Sequence, residues 1–260
     1  MDIYYDSKIP ASSRIKEQSM VAIAVVPGIS PSGPKLIAPR WHTALFVALF
    51  LALTLGGVLF QREARSQPGK LLQHPNVVPL YLSLIAMEWG LLLYVWKGGL
   101  RRTGTKLREL IGGRWQTPKD VAVDAGLALG LWTVWALVER GWDLWLGAAH
   151  AASIQTFLPR RGLEILLWVG VSVSAGICEE VVFRGYFQRQ FEAFTRSKWI
   201  ALCLQAVLFG VSHGYQGVEA CVKIALFGAL YGALALWRRS LRPGIIAHAG
   251  SDILSGIFGI

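Results

Sequence analysis

Seven apolar segments, each near the length of a membrane-spanning helix, constrain this chain more than any other feature. They lie at about residues 41–60, 77–96, 121–138, 163–187, 199–211, 220–237 and 243–258. About 20 apolar residues in a helix cross the hydrocarbon core of a bilayer. Within lipid, only helices and closed barrels satisfy every backbone polar group. The segments therefore predict an all-α fold, a polytopic transmembrane helical bundle of about seven spans.

Residues 141–158 are the one stretch where the span count has an alternative. This stretch is more polar than its neighbours, because it contains Asp143, His150 and Gln155. We interpret it as an interfacial helix or loop, and an eighth span is the alternative.

The composition supports a membrane protein and gives no sign of a nucleic-acid partner. Of the 260 residues, 53% are hydrophobic and only 16% are charged, which is too apolar for an ordinary soluble protein. The formal net charge is +10. Its Lys and Arg residues gather at the ends of the apolar segments, where they face anionic lipid. The expected partner is therefore the lipid bilayer, and no nucleic acid.

The distribution of Lys and Arg also predicts the orientation. Five of these residues precede the first segment and seven lie in 97–119, against three in 61–76 and three in 139–162. Cytoplasmic loops carry the excess of positive charge. The N-terminus is therefore predicted to be cytoplasmic, with residues 1–37 as a disordered tail and residues 38–160 as N-terminal transmembrane helices and loops.

Two adjacent acids stand at the end of the fourth apolar segment. Arg184 follows Glu180 by four residues, so the two share a helical face and can form an ion pair. Glu179 is turned by about 100° from Glu180 and has no such partner in its own helix. We therefore predict that Glu180 and Arg184 are structural, and that Glu179 is free to act.

Three further polar side chains lie in the last apolar segments. His213 closes the fifth segment with Phe209 one turn before it, and His248 and Asp252 share a face of the seventh. Glu179 and His213 are equidistant from residue 196, the turn between their helices. About fifteen residues separate each of them from this turn, which at 1.5 Å per residue is about 22 Å, so the two can face one cavity. His248 follows Pro243 by five residues, so we expect it nearer the cytoplasmic face unless the last helix is displaced or tilted.

These motifs, in this order on three apolar helices, resemble those of the CAAX-protease and bacteriocin-processing family of intramembrane proteases. The motifs are Glu-Glu-x-x-x-Arg at 179–184, Phe-x-x-x-His at 209–213 and His-x-x-x-Asp at 248–252. The resemblance covers roughly residues 161–260, which it implies form the catalytic helical core. The chain departs from the pattern at Asp252, where the family most often has Asn.

The resemblance implies a glutamate-dependent endopeptidase that cleaves a membrane-associated protein or peptide. Glu179 is the implied general base, and His213 assists the attacking water. His248, with Asp252, would stabilise the oxyanion. Glu180, Arg184 and Phe209 would support these groups. The resemblance also indicates a bacterial inner (cell) membrane protein.

Other functions remain open at this point. A zinc site formed by Glu179, His213 and His248 is the closest alternative; we favour a reaction without metal or other cofactor, because no HExxH motif is present. A non-catalytic scaffold or bacteriocin-immunity-type protein on the same fold is a second alternative, and a proton-relaying transporter is a third. Glu88, an acid in the middle of the second segment, receives no role.

Overall fold

The computed structural model describes residues 33–66, 76–146 and 157–258. From Pro34 onward the described residues form one compact unit, which is helical and contains no strand. Its helices are α1 (Arg40–Ser66), α2 (Val78–Thr103), α3 (Leu107–Ile111), α4 (Pro118–Leu146), α5 (Gly162–Thr195), α6 (Lys198–Ser212), α7 (Val218–Arg238) and α8 (Arg242–Phe258). The predicted all-α class is confirmed. Of the tail predicted for residues 1–37, residues 1–32 lie outside the described part of the chain.

Each of the seven predicted segments forms a helix, in agreement with a polytopic bundle. Among the described helices, α1, α2, α4, α5 and α7 are long and apolar enough to cross a membrane. The other two, α6 and α8, have 15 and 17 residues. Residues 141–146 of the stretch interpreted as an interfacial helix or loop form the end of α4. Residues 147–156 of that stretch lie outside the described part of the chain.

The longest helix, α5, changes its winding at the two acids. Residues Glu180–Phe187 are π-helical, and all eight residues of this stretch are buried. A π-helical insertion shifts the direction of the following side chains relative to a regular α-helix, and such insertions often occur at functional sites. In α5 it begins directly after Glu179, so the two acids fall at the change of winding.

Helix α5 lies at the centre of the bundle, where it packs against α2, α6 and α8. The contact with α8 depends on small residues. A Cβ atom added at Gly176 would lie 2.8 Å from the backbone nitrogen of Ala249, so the two backbones approach at a point that admits no side chain. Helix α8 is also fixed by the Trp168 indole, which donates a hydrogen bond of 2.8 Å to the carbonyl of Asp252.

Aromatic rings join α1 to the π-helical part of α5. The ring centroids of Phe46 and Phe187 are 5.0 Å apart, and those of Phe50 and Phe183 are 5.1 Å apart. One turn below, the buried His42 ring lies 2.7 Å from the Tyr186 hydroxyl. Packing of this kind fixes the rotation of α5 about its axis, which decides where Glu179 and Glu180 point.

Asp124 ties α4 to the turn between α7 and α8. Its fully buried carboxylate accepts a hydrogen bond of 2.9 Å from Arg238 and another of 2.8 Å from the Trp115 indole. Arg242 lies 3.8 Å from the second oxygen of the same carboxylate. Because a buried carboxylate is stable only when paired, these contacts hold the first residues of α8 in place.

The α6–α7 hairpin yields a test of the packing. A Cβ atom at Gly210 would overlap the backbone carbonyl of Cys221. We expect Gly210→Ala to lower the free energy of unfolding by about 1–3 kcal/mol, because the two backbones must separate. Thermal unfolding in detergent measures this. Gly130→Ala is the control, since nothing lies within 4 Å of the added atom. Equal stability of the two variants would contradict the packing described.

Candidate active site

The Glu180–Arg184 pair forms as the sequence predicts. The Arg184 Nη1 atom lies 3.3 Å from Glu180 Oε1, and both side chains are buried. The guanidinium also stacks over the Phe209 ring, 4.2 Å from its centroid. The ring centroids of Phe227 and Tyr231 lie further from the guanidinium carbon, at 5.7 and 5.8 Å. A planar cation over aromatic faces gains a favourable interaction with their quadrupoles, so Arg184 is held by α6 and α7 as well as by Glu180.

His248 connects α8 to both acids. Its Nδ1 atom lies 3.1 Å from Glu180 Oε1, and since a carboxylate only accepts, Nδ1–H is the donor. Its Nε2 atom lies 3.8 Å from Glu179 Oε2 and 3.7 Å from Asp252 Oδ2. The buried imidazole therefore stands between three carboxyl groups.

The position of His248 beside Glu179 differs from a simple count along its helix. The count of five residues from Pro243 gave a place nearer the cytoplasmic face, unless the last helix is displaced or tilted. In the structure, α8 packs along α5 with the backbone of Ala249 against Gly176. This register sets His248 beside Glu179 and Glu180. A count of residues from a helix start fixes depth only when the start itself lies at the membrane surface.

A glycine leaves the space that the Glu180 carboxylate occupies. A Cβ atom at Gly244 would stand 2.9 Å from Glu180 Oε2. Gly244 precedes His248 by one turn of α8, so one helical face provides both the space and the hydrogen-bond donor for Glu180. Any side chain here would push the carboxylate away from His248.

Glu179 forms no ion pair with Arg184 among the described residues, and it points into a different set of contacts. Its side chain is 16% exposed, whereas that of Glu180 is 1% exposed. Besides His248, Glu88 of α2 lies within electrostatic reach of Glu179. The sequence assigned no role to Glu88. The one indication in the sequence was that Glu88 is an acid in the middle of a span with no partner on its own helix.

His213 stands at the end of α6, one helical turn from Phe209. Its Nδ1 atom lies 2.9 Å from the Phe209 carbonyl, which only accepts, so Nδ1 carries a proton. In the neutral ring, Nε2 is then an acceptor. Among the described residues, His213 forms no hydrogen bond or ion pair with Glu179. The predicted pairing of the two by depth therefore stays a prediction.

Phe209 and Tyr215 connect His213 to the rest of the site. The Phe209 ring lies 4.9 Å from the His213 ring and 6.3 Å from the His248 ring. Tyr215, in the turn after α6, lies 6.1 Å from the His213 ring. It is also within electrostatic reach of Glu179 and Asp252. Sequence reasoning missed Tyr215, which belongs to none of the three motifs.

The described residues contain no group of three or more His, Cys, Asp or Glu side chains arranged to hold a metal ion. In particular, Glu179 and His248 are close together, but His213 is turned to the Phe209 carbonyl. The three ligands of the zinc alternative are thus not gathered around one point in this arrangement.

Residues 161–254 match a family model described as "Type II CAAX prenyl endopeptidase Rce1-like". The resemblance that the three motifs predicted is therefore confirmed over this segment, which contains all seven residues singled out from the sequence. Comparison with curated proteins found no match, and comparison with solved structures found none either. The match and the five long apolar helices together indicate an integral membrane protein related to CAAX-type endopeptidases.

The buried ion pair can be tested without any substrate. We expect Arg184→Met to lower the free energy of unfolding by about 3 kcal/mol, because it leaves the Glu180 charge buried without its cation. Thermal unfolding in detergent measures the loss. The double variant Glu180→Gln, Arg184→Met removes both charges and is expected to recover most of it. A double variant no more stable than the single one would contradict the pairing.

Proposed function

We propose that this protein is an intramembrane endopeptidase in which Glu179 activates a water molecule to hydrolyse a peptide bond of a membrane-associated protein or peptide. The observation that carries the proposal is that carboxylate oxygens of Glu179, on α5, and of Asp252, on α8, lie within 3.8 Å of the His248 Nε2 atom. This meeting lies inside the segment that resembles CAAX-type endopeptidases.

Glu179 is the best candidate for the general base. Glu180 is committed to Arg184 and His248, and it is almost completely buried. Glu179 is the more exposed of the two acids and is held by weaker contacts. As a carboxylate it takes a proton from water while the water oxygen bonds to the peptide carbon. When the carbon–nitrogen bond breaks, this proton passes to the leaving nitrogen.

We assign to His248 the stabilisation of the oxyanion. A donor at Nε2 is required for this role, so the ring must be protonated at both nitrogens. The carboxyl groups of Glu179, Glu180 and Asp252 provide the compensating negative charge, all within 3.8 Å of the ring. The hydrogen bond from Nδ1 to Glu180 fixes the direction in which Nε2 points. Glu180 and Arg184 act through this bond as positioning residues.

We assign to His213, whose ring lies 4.9 Å from that of Phe209, an assisting role. With Nδ1 bonded to the Phe209 carbonyl, its Nε2 lone pair can accept a hydrogen bond from the attacking water. Such a contact orients the water toward the peptide carbon. Because His213 does not contact Glu179 directly, its contribution is to the position of the water rather than to the charge of the base.

The substrate class follows from the setting of the site. Chains that reach a site between membrane helices must be membrane-associated, and the family description names CAAX prenyl substrates. We propose a reaction without metal or other cofactor, in a bacterial inner membrane with the N-terminus cytoplasmic. Binding of a partner that survives loss of Glu179, with no cleavage by the wild type, would instead favour a non-catalytic scaffold.

The proposal predicts that cleavage depends on Glu179. We expect Glu179→Ala to lower kcat by at least about 100-fold, because it removes the general base. His213→Ala is expected to lower kcat by at least about tenfold through loss of water orientation. The measurement is cleavage of an internally quenched farnesylated CAAX peptide in detergent micelles. In parallel, the membrane proteomes of wild-type and Glu179→Ala cells are compared for an accumulating precursor.

The matched control is Glu192→Ala, which removes an acid from the same helix about 20 Å further along. It should leave kcat within about twofold of the wild type. Full activity of Glu179→Ala would exclude Glu179 as the base. Inhibition of the wild type by a chelator, reversed by zinc, would overturn the metal-free mechanism.

Asp252 gives a separate prediction. Asn in its place keeps an oxygen acceptor facing Nε2 of His248, which now lies 3.7 Å from the carboxylate. We therefore expect Asp252→Asn to retain kcat within about threefold, and Asp252→Leu to lose at least about tenfold, since it removes a polar partner of the imidazolium. The same peptide assay measures both variants. An inactive Asp252→Asn enzyme would show that the negative charge itself is required.

A further inference from the structure

A cavity lies between the start of α4 and the end of α7, on the side of the bundle where Lys and Arg residues gather. Its volume is about 520 Å³, which is within the range of small-molecule binding sites. The residues that line it are Lys119, Asp120, Val123 and Leu127 of α4 and Trp237 and Arg238 of α7. None of them belongs to the candidate active site. The cavity is therefore a separate place in the fold, formed where two candidate membrane spans end.

The lining of this cavity changes from charged to apolar along α4. Lys119 and Asp120 lie in the first turn of the helix, and Val123 and Leu127 follow at intervals of about one turn on the same face. At 1.5 Å per residue, Leu127 is about 12 Å further along the helix than Lys119. A ligand that fills the cavity therefore needs a polar group at the helix end and an apolar part at the depth of the hydrocarbon.

The charged end of the cavity favours an anion. Arg238 donates from Nε to the buried Asp124 carboxylate at 2.9 Å, which leaves the two Nη groups of its guanidinium as donors. Lys119 is exposed and provides an ammonium group. The carboxylate of Asp120 already accepts hydrogen bonds of 3.0 and 3.1 Å from the backbone and the hydroxyl of Thr117. A phosphate group, with several acceptor oxygens, can therefore bind Lys119 and Arg238 together.

An excess of positive charge remains at this junction after its internal pairing. Arg238 and Arg242 share the single carboxylate of Asp124, and the exposed Arg239 follows α7 directly. Basic pockets between membrane helices are typical sites for the headgroups of anionic lipids. The Trp237 side chain is 72% exposed, and Trp is enriched at the depth of lipid headgroups. Both features match a lipid better than a ligand from solution.

We propose that this cavity binds one anionic phospholipid of the surrounding membrane. The lipid phosphate contacts Lys119 and Arg238, and one acyl chain lies along Val123 and Leu127. A free phosphate would use only the charged end, whereas a phospholipid uses the whole lining. Because Arg238 also holds Asp124, which lies beside the first residue of α8, the bound lipid stabilises the junction of α4, α7 and α8. The inference does not depend on the proposed peptidase activity.

Native mass spectrometry of the full chain in detergent measures the binding of dioleoylphosphatidylglycerol, with the zwitterionic dioleoylphosphatidylcholine as the comparison. The Kd of the first bound phosphatidylglycerol should be at least about fivefold lower than that of phosphatidylcholine. Lys119→Gln should raise the Kd for phosphatidylglycerol about fivefold, because it removes one cation from the site. Lys106→Gln is the matched control, since it removes an exposed Lys that does not line the cavity. It should change this Kd by less than about twofold.

Val123→Trp tests the apolar end of the cavity. The Val123 side chain is 42% exposed, so the larger ring occupies the cavity rather than the core. It should raise the Kd for phosphatidylglycerol at least about fivefold, because the acyl chain loses its contact. Inorganic phosphate should not displace the lipid from the wild type. Added phosphatidylglycerol should also raise the midpoint of thermal unfolding more in the wild type than in Lys119→Gln.

Three results would overturn the proposal. Equal affinity for the two lipids would show an apolar groove without an anion site. Equal losses in Lys119→Gln and Lys106→Gln would show attraction by diffuse surface charge. Displacement of the lipid by inorganic phosphate, with unchanged binding in Val123→Trp, would assign the charged end to a free anion. If Val123→Trp does not fold, the comparison of the two Lys variants decides the question alone, because both positions are exposed.

Discussion

A carboxylate buried in the middle of an apolar helical bundle is the constraint on which the rest of this structure depends. Glu180 is enclosed by α5, α7 and α8, and a charge in such a place needs both a counter-charge and hydrogen-bond donors. Arg184 supplies the first and His248 the second. Gly244 provides the space, and the rings around the guanidinium hold it against the carboxylate. Satisfying one charge thereby fixes three helices relative to one another.

Glu179, the neighbouring acid, does not take part in the Glu180–Arg184 ion pair. Because Arg184 is occupied by Glu180, Glu179 is left with His248 as its near partner. The imidazole lies 3.8 Å from Glu179, a longer separation than those of Arg184 and His248 from Glu180. One residue step along a helix thus separates the acid held by Arg184 from the acid proposed as the base, and the change to π-helical winding occurs between them.

The sequence was sufficient for what depends on local spacing and polarity. Seven apolar segments predicted the helices, and the four-residue spacing of Glu180 and Arg184 predicted their ion pair. The sequence alone did not predict the register in which one helix packs against another. A count of residues along α8 did not place His248 beside Glu179, because the register of α8 on α5 depends on Gly176 meeting Ala249. Glu88 received no role for the same reason: Glu179 lies 91 positions later in the chain, and only the packing of α2 on α5 brings the two within electrostatic reach.

The shortness of α6 has a consequence for how the reactant water arrives. Its 15 residues are about 22 Å long, whereas the hydrocarbon core of a bilayer is about 30 Å thick. Lipid that borders this helix must thin, or the polar turn that follows must carry water down to the helix end. His213 is the residue at that end. Hydrophobic mismatch along this helix would therefore bring solvent to His213, the residue proposed to orient the attacking water.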